Sequence, residues 1–176
     1  EGLNEGKWIT SSYYMDKLPK WVKEFNTSSN MSKYLKTWNT LYDINSYHES
    51  GPDNSNYEKG FIGKTTPVFP YKLKELMASN EGYDIIKTSP FGNTMITDFA
   101  FSAIEAESLG DDEFTDFLTI SYSSTDYVGH DFGLSSVELQ DTYLRLDLEI
   151  ERLLNYLDKN IGIGNYTLFL TADHGA

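Results

Sequence analysis

Two short apolar runs and the long helix pattern between them constrain the fold of this chain most strongly. Residues 117–122 and 166–170 have the length and composition of buried β-strands. Between them, apolar residues recur at alternating spacings of four and three from Leu139 to Leu157, as they do along one face of a helix. A strand, a long helix and a second strand form a βαβ unit, which predicts parallel strands with a right-handed crossover. The predicted fold class is therefore α/β with a parallel sheet.

Capping signals predict where the helices of this part begin and end. Ser135 followed by Glu138 is a capping-box pattern at the start of the long helix, and Gly162 can end it. An earlier helix pattern runs through Phe99 and stops at Gly110. These elements predict a partial core of regular structure over residues 89–176.

Residues 1–88 lack such regular patterns and are predicted to form an irregular cap or insert over the strand ends. Pro19 predicts the start of one short helix. Aromatic residues make up 15% of the whole chain, and we expect those of this segment to pack its interior rather than to stack on a ligand. His48 lies in a polar loop without a second ligand at metal spacing, so no function is predicted for it.

The charge and the composition exclude several classes of partner. The net charge is −13, because 14 basic residues are outnumbered by 27 acidic ones and form no cluster, which argues against nucleic acid and anionic membranes. A phosphorylated substrate stays compatible, since bound metal would reverse the local field. The absence of Cys excludes disulfides and thiolate chemistry. No stretch approaches the roughly 20 apolar residues of a membrane span, and nothing predicts the oligomeric state.

Each predicted strand is followed by an Asp and a His. Asp126 and His130 follow the first strand, and Asp173 and His174 follow the second. The carboxyl ends of parallel strands meet at one edge of a sheet, so we expect the four side chains to converge there. Carboxylates and imidazoles suit Zn²⁺ or a similar divalent ion. Either pair alone could merely cap a following helix, but two pairs in one βαβ unit favour a metal site.

The spacing within each pair carries a further prediction. Asp126 and His130 are four residues apart, so a helical turn would bring them to one face, with Gly129 allowing a tight backbone and Gly133 closing the turn. Asp173 and His174 are adjacent, so they can share a metal only where the strand has ended.

These motifs resemble those of a known family. Residues 126–133 resemble the D-x-x-G-H-x-x-G motif of the alkaline phosphatase superfamily, and residues 171–175 resemble the D-H-G motif of its type I phosphodiesterase/nucleotide pyrophosphatase group. Residues 89–93, 123–126 and 141–147 are similar to bacterial alkaline phosphatases of the PafA type. The resemblance is strongest over residues 89–176. Both ends are abrupt, so we expect an internal segment of a longer polypeptide.

The resemblance implies a fold, an activity and a set of metal ligands. It implies part of an alkaline-phosphatase-like sandwich and a hydrolase with two Zn²⁺ ions. Asp126 and His130 would bind one zinc with a distant C-terminal His. Asp173 and His174 would bind the other with an N-terminal Asp and a Thr or Ser nucleophile. That nucleophile would lie outside this chain, so no catalytic residue is assigned here, and no residue is assigned to an organic cofactor. The resemblance to this family also implies that the protein is located in the periplasm or is secreted.

The preferred function is hydrolysis of phosphate monoesters by the full-length protein. The alternatives are a phosphodiesterase or nucleotide pyrophosphatase, and a non-catalytic binding module rich in aromatic residues. A sulfatase or phosphoglycerate mutase relative would also use Asp and His pairs, but the D-x-x-G-H-x-x-G motif disfavours it. Each metal keeps only two ligands here, so we expect this chain alone to be inactive and to bind Zn²⁺ weakly or not at all.

Overall fold

Helices supply most of the regular structure in the computed structural model, which describes residues 5–28 and 31–174. Within these residues the α-helices are α1 (Lys20–Ser28), α2 (Leu73–Leu76), α3 (Pro90–Ala106), α4 (Ser124–Phe132) and α5 (Val137–Leu157). Short 3-10 turns occur at Met31–Tyr34, Ile44–Ser46, Met77–Ser79 and Gly82–Thr88, and a π-helical turn over Asp158–Gly162 extends α5. No described helix has the length and apolar character needed to cross a membrane. The helix predicted after Pro19 is α1.

The sheet of the described residues is a two-stranded antiparallel ribbon. Strand β1 (Thr37–Trp38) pairs with β2 (Tyr71–Lys72), so that Trp38 lies opposite Tyr71. Both aromatic side chains are fully buried. The chain thus contains helix and sheet, but its strands lie in the segment that was predicted to be irregular.

The predicted parallel pair of strands is not found among the described residues. Residues 117–122 and 166–170 form no ladder with each other or with the ribbon. Phe117 is 90% exposed and Phe169 is 86% exposed. A parallel strand is stable only where neighbouring strands take up its backbone hydrogen bonds and helices cover both faces. Neither segment has such neighbours in the described part of the chain, so apolar composition alone does not make it a strand.

Helix α5 begins one residue later than the capping signals predicted. Its N-cap is Ser136, whose Oγ accepts a hydrogen bond from the Leu139 backbone nitrogen at 3.1 Å. The capping box predicted from Ser135 is therefore wrong, and Glu138 is buried instead of reaching back to the cap. Gly162, with φ of +99°, lies at the end of the π-helical turn that follows α5.

The apolar stripe of α5 is only partly covered. Leu139 and Leu153 are buried against neighbouring elements, whereas Tyr143 is 55% exposed. The buried face near the start of α5 also contains polar side chains, Glu138 and Asp141 among them. The periodicity therefore predicted the helix but not which of its side chains are buried.

The main core joins the first half of the chain to the second. The rings of Trp38, Phe61 and Tyr71 contact Phe132 of α4 edge-on, at centroid distances of 6.0, 5.6 and 5.4 Å. Leu139 of α5 belongs to the same cluster. Aromatic side chains from before residue 89 thus pack beneath α4, although the division of the chain at residue 88 stays a prediction.

Asp141 ties the first half of the chain to α5. One carboxylate oxygen accepts hydrogen bonds from the Leu41 backbone nitrogen at 2.6 Å and from the Tyr47 hydroxyl at 2.5 Å. The other accepts from Trp38 Nε1 and from Arg145 Nε, both at 2.6 Å. A fully buried carboxylate is thereby satisfied on both oxygens.

Candidate metal centre

Helix α4 places Asp126 and His130 on one face. Asp126 Oδ1 lies 3.4 Å from His130 Nε2, as expected for residues one helical turn apart. The helix ends at Gly133, which has φ of +92° and donates its backbone N–H to the Gly129 carbonyl at 2.8 Å. The predicted helical turn between the two side chains is therefore confirmed.

The two glycines of this segment have different roles. The left-handed backbone at Gly133 favours glycine because it strains other residues. Gly129 lies within α4, and a Cβ added there would meet its nearest neighbour, Leu139 Cδ2, at 3.8 Å. That is an ordinary contact distance, so the tight backbone predicted at Gly129 is not found.

The second Asp-His pair lies beside the first. Asp173 and His174 occupy a bend, and Gly175 and Ala176 lie outside the described residues. His174 Nε2 is 3.7 Å from Asp126 Oδ1 and 3.9 Å from Asp173 Oδ1. The side chains that were expected to meet at a sheet edge therefore meet next to α4, without the sheet.

The donor set and its spacing fit part of a zinc site. Zinc ligands at ~2.0–2.1 Å in a tetrahedral arrangement lie roughly 3.4 Å from one another, close to the 3.4 Å between Asp126 Oδ1 and His130 Nε2, the pair expected to bind one ion. His174 Nε2, expected to bind the other ion, lies 3.7 Å from Asp126 Oδ1. The side chains are open to solvent, with 44% of Asp126, 74% of His130 and 63% of His174 exposed. Among the described residues, however, no three His, Asp or Glu side chains form a group that could hold one ion. The pairs would need further ligands to complete a site.

Contacts from earlier parts of the chain hold α4 along its length. The Lys59 backbone nitrogen donates to the Asp131 carbonyl at 2.8 Å, and the Lys87 ammonium lies 5.0 Å from the centre of the Tyr127 ring. At the start of the helix, Asn93 Oδ1 accepts a hydrogen bond from the Ser124 backbone nitrogen at 3.3 Å. One feature of the sequence pointed to this last contact. Residues 89–93 are similar to a motif of the PafA-type alkaline phosphatases, but no role was predicted for that motif.

A second titratable group, outside the Asp-His cluster, is buried in the core. Glu138 is fully buried, and its Oε1 accepts a hydrogen bond from the Tyr71 hydroxyl at 2.5 Å. Burial raises the pKa of the Glu138 carboxyl to about 8, and the negative charges of Glu58 and Asp53 add to the effect. Its Oε2 is buried without a partner in the described part of the chain. Sequence reasoning treated Glu138 as a capping residue and missed this environment.

His48 lies outside this arrangement. Its side chain is exposed in the loop between β1 and β2, and it takes no part in the contacts that join Asp126, His130 and His174.

Residues 6–176 match the model of a protein family, described as type I phosphodiesterase / nucleotide pyrophosphatase. Because that match covers nearly the whole chain, the chain belongs to the type I phosphodiesterase/nucleotide pyrophosphatase family. The resemblance predicted from the D-x-x-G-H-x-x-G and D-H-G motifs is thereby confirmed.

Individual relatives carry more specific names. A protein of Myroides odoratus named calcium-transporting ATPase is 55% identical over 97% of this chain and 32% of its own length. Alkaline phosphatase PhoV of Synechococcus elongatus is 52% identical over 97% of this chain and 31% of its own length. The crystal structure of wild-type alkaline phosphatase PafA has a TM-score of 0.86 and 47% identity, covering 92% of this chain and 31% of that protein. The chain therefore spans about a third of the length of these relatives, and it has the fold of the matching part of PafA.

Proposed function

We propose that this chain is part of a two-zinc phosphoesterase that hydrolyses phosphate monoesters through a Thr or Ser nucleophile outside the chain. Membership of the family supports the class of reaction, and the similarity to alkaline phosphatases supports monoesters as the substrate. One structural observation carries the proposal: Asp126 Oδ1 lies 3.4 Å from the imidazole of His130 and 3.7 Å from that of His174.

The residues of this chain would bind and orient the metals. Asp126 and His130 would hold one zinc ion, and Asp173 and His174 would hold the other. Paired zinc ions, when bound, stabilise the charge on the attacking and leaving oxygens of a phosphoryl transfer. All four side chains reach solvent, so a small phosphate ester could approach them without a movement of the described chain.

The exposed apolar segments fit a larger protein. We propose that residues 117–122 and 166–170 join a parallel sheet in the full-length protein, where other strands and helices cover Phe117 and Phe169. The extent of the relatives supports this, since the matching part is about a third of each. Relatives named alkaline phosphatase also support a periplasmic or secreted location as a proposal.

The competing functions differ in what they require of the Asp-His pairs. A phosphodiesterase or nucleotide pyrophosphatase would use the same metal ligands, and the family description favours keeping it as the alternative. A non-catalytic binding module would not need the two pairs to meet. Their approach to within 3.7 Å disfavours that alternative.

Substitution of the metal ligands in the full-length protein tests the proposal. Asp126→Asn and His174→Ala should each lower kcat/KM for p-nitrophenyl phosphate by more than about 100-fold, because losing a direct ligand should exceed the 10–100-fold typical of outer-shell partners. The matched controls are Asp131→Asn, a neighbouring carboxylate on α4, and His48→Ala, which should both keep near wild-type rates. Wild-type rates in Asp126→Asn or His174→Ala would remove the assignment.

The same assay separates the candidate reactions. A higher kcat/KM for p-nitrophenyl phosphate than for bis(p-nitrophenyl) phosphate supports a monoesterase, and the reverse order supports the diesterase. ATP belongs in the panel because one relative is named an ATPase. Rates on all three substrates should fall together in Asp126→Asn if one metal centre serves them.

A further inference from the structure

We propose that Asn93, together with Gly92, is a positioning residue that sets the first turn of α4 and thereby the Asp126–His130 pair. The inference rests on the proposed metal-binding function of that pair. The inference gives a role to the motif at residues 89–93. These residues include none of the proposed metal ligands and take no part in the proposed reaction.

The first turn of α4 is capped by another helix rather than by its own sequence. The first backbone N–H groups of a helix have no partner within the helix, and a side chain at the N-cap usually supplies one. Ser123 stands at the N-cap of α4 but makes no side-chain capping bond. Asn93 of α3 accepts instead from the Ser124 backbone nitrogen, at 3.3 Å. Ser124 is two residues before Asp126, so the contact acts close to the ligand.

The side-chain amide of Asn93 is buried with only one of its polar atoms engaged in a hydrogen bond among the described residues. Asn93 is 1% exposed, and its Nδ2 is buried without a hydrogen-bond partner in the described part of the chain. An unsatisfied buried polar group costs roughly 1–3 kcal/mol. Packing alone does not require an amide at this position, whereas acceptance from Ser124 does require its oxygen.

Gly92 allows the two helix starts to touch. A Cβ at Gly92 would lie 2.2 Å from Ser124 Oγ and 2.9 Å from the Ile86 carbonyl oxygen. Both distances are too short for real contacts, so a larger residue at position 92 would force the Ser124 side chain, the backbone at Ile86 or both to shift. Glycine is favoured here by the close approach of Ser124 and Ile86 rather than by an unusual backbone angle.

A second contact joins the segment just before α4 to helix α3. The Thr97 and Tyr122 hydroxyl oxygens are 3.1 Å apart and share a hydrogen bond, and Thr97 also donates to the Asn93 carbonyl at 3.1 Å. Thr97 is fully buried. Helix α3 thus holds the chain at Tyr122 and at Ser124, immediately before Asp126. Metal ligands must stay within about 0.5 Å of the productive geometry, so a shift of this turn should weaken zinc binding.

The test is carried out on the full-length protein with zinc affinity as the main measurement. Asn93→Ala should weaken Zn²⁺ binding measurably in competition with a chelator, by no more than the roughly 10-fold to 100-fold that loss of a direct partner of a ligand causes, because Asn93 acts on the ligand through Ser124. The control is Thr142→Val, which removes a fully buried hydroxyl that donates to the Glu138 carbonyl at 2.8 Å within α5. The melting temperature of the metal-free protein should fall by a similar amount in both variants, while zinc affinity falls only in Asn93→Ala.

A second pair of variants tests the close approach of the two helices. Gly92→Ala should weaken zinc binding because its Cβ collides with Ser124 Oγ. Adding Ser124→Ala removes that oxygen, so the double variant should bind zinc more tightly than Gly92→Ala alone. The recovery should be partial, because the short contact with the Ile86 carbonyl oxygen remains. Wild-type zinc affinity in Gly92→Ala would contradict this part of the inference.

The outcomes separate this inference from the proposed function. If Asp126→Asn weakens zinc binding while Asn93→Ala binds like wild type or like Thr142→Val, the positioning role is overturned and the metal site stands. If Asp126→Asn itself binds zinc like wild type, the proposed function fails, and the positioning role fails with it.

Discussion

Two acidic residues on one helix illustrate how burial changes a carboxyl group at the scale of single residues. Asp141 and Glu138 of α5 are both fully buried. Asp141 receives four donors, whereas Glu138 receives the Tyr71 hydroxyl and keeps one oxygen without a partner. Glu138 therefore stays protonated near neutral pH, since burial raises its pKa to about 8. It belongs to the core of the protein and not to the metal centre.

The raised pKa of Glu138 predicts a pH-dependent loss of stability. In the unfolded chain this carboxyl ionises near its ordinary pKa of 4.5, but in the folded chain only near 8. The folded state thus binds the extra proton in this window, and the free energy of unfolding should fall as pH rises from about 4.5 to 8. The slope from one such group is at most about 1.4 kcal/mol per pH unit.

Glu138→Gln removes this titration while keeping an oxygen for the Tyr71 hydroxyl. The variant should resemble wild type at pH 5 and be more stable than wild type at pH 8.5, as measured by denaturant unfolding of the metal-free full-length protein. Glu151→Gln, an exposed position on the same helix, is the control and should leave the pH dependence unchanged. Equal pH slopes in wild type and Glu138→Gln would show that Glu138 is already ionised in the folded protein.

At the scale of elements, the exposed apolar side chains lie on segments that no other described element covers. Residues 117–122 and 166–170 contain the highly exposed Phe117 and Phe169, and Tyr143 on α5 is 55% exposed. A large exposed apolar patch normally marks an interaction surface, and several large apolar side chains are exposed within these two runs. It fits the proposal that these segments are sheet strands in the full-length protein.

A charge placed in these segments tests that proposal. Phe117→Asp and Phe169→Asp should each lower the melting temperature of the full-length protein, because a buried Phe contributes about 1.5–3 kcal/mol and an unpaired buried charge costs more. Tyr57→Asp is the control, since Tyr57 is 92% exposed but lies in the irregular segment between β1 and β2. Melting temperatures unchanged in all three variants would mean that the segments stay exposed in the larger protein.

At the scale of the whole molecule, the aromatic core is complete within the described residues, whereas the proposed metal centre is not. The aromatic core closes within the described residues, with Trp38 and Tyr71 fully buried against α4. The proposed metal centre is incomplete, because no three described His, Asp or Glu side chains form one ion site. Loss of ligands weakens a metal site steeply, since the remaining ligands must hold the ion without the rest of its shell.

The isolated 176-residue polypeptide should therefore lack phosphatase activity. It should also bind Zn²⁺ far more weakly than the full-length protein when both are titrated under the same conditions. The control for contaminating phosphatase is the same polypeptide carrying Asp126→Asn, purified in parallel. Turnover that is present in the polypeptide and absent from its Asp126→Asn variant would contradict the proposal that ligands and nucleophile lie outside this chain.

The sequence by itself determined the features that depend on near neighbours. The spacing of Asp126 and His130 predicted one helical face, and α4 provides it. The periodicity from Leu139 predicted α5 to within one residue at its start, and the motifs predicted the family. These features follow from local rules, because residues four apart on a helix meet whatever the rest of the chain does.

Only the tertiary structure decided which distant residues meet. The capping of α4 by Asn93 and the burial of Glu138 each join segments that no local pattern relates. The approach of His174 to Asp126 was expected from the sequence, but at the edge of a parallel sheet that the described residues do not form. The predicted parallel strands are not found among the described residues for the same reason: an apolar run becomes a strand only when a neighbouring backbone accepts its hydrogen bonds, and those partners are set by the packing of the whole molecule.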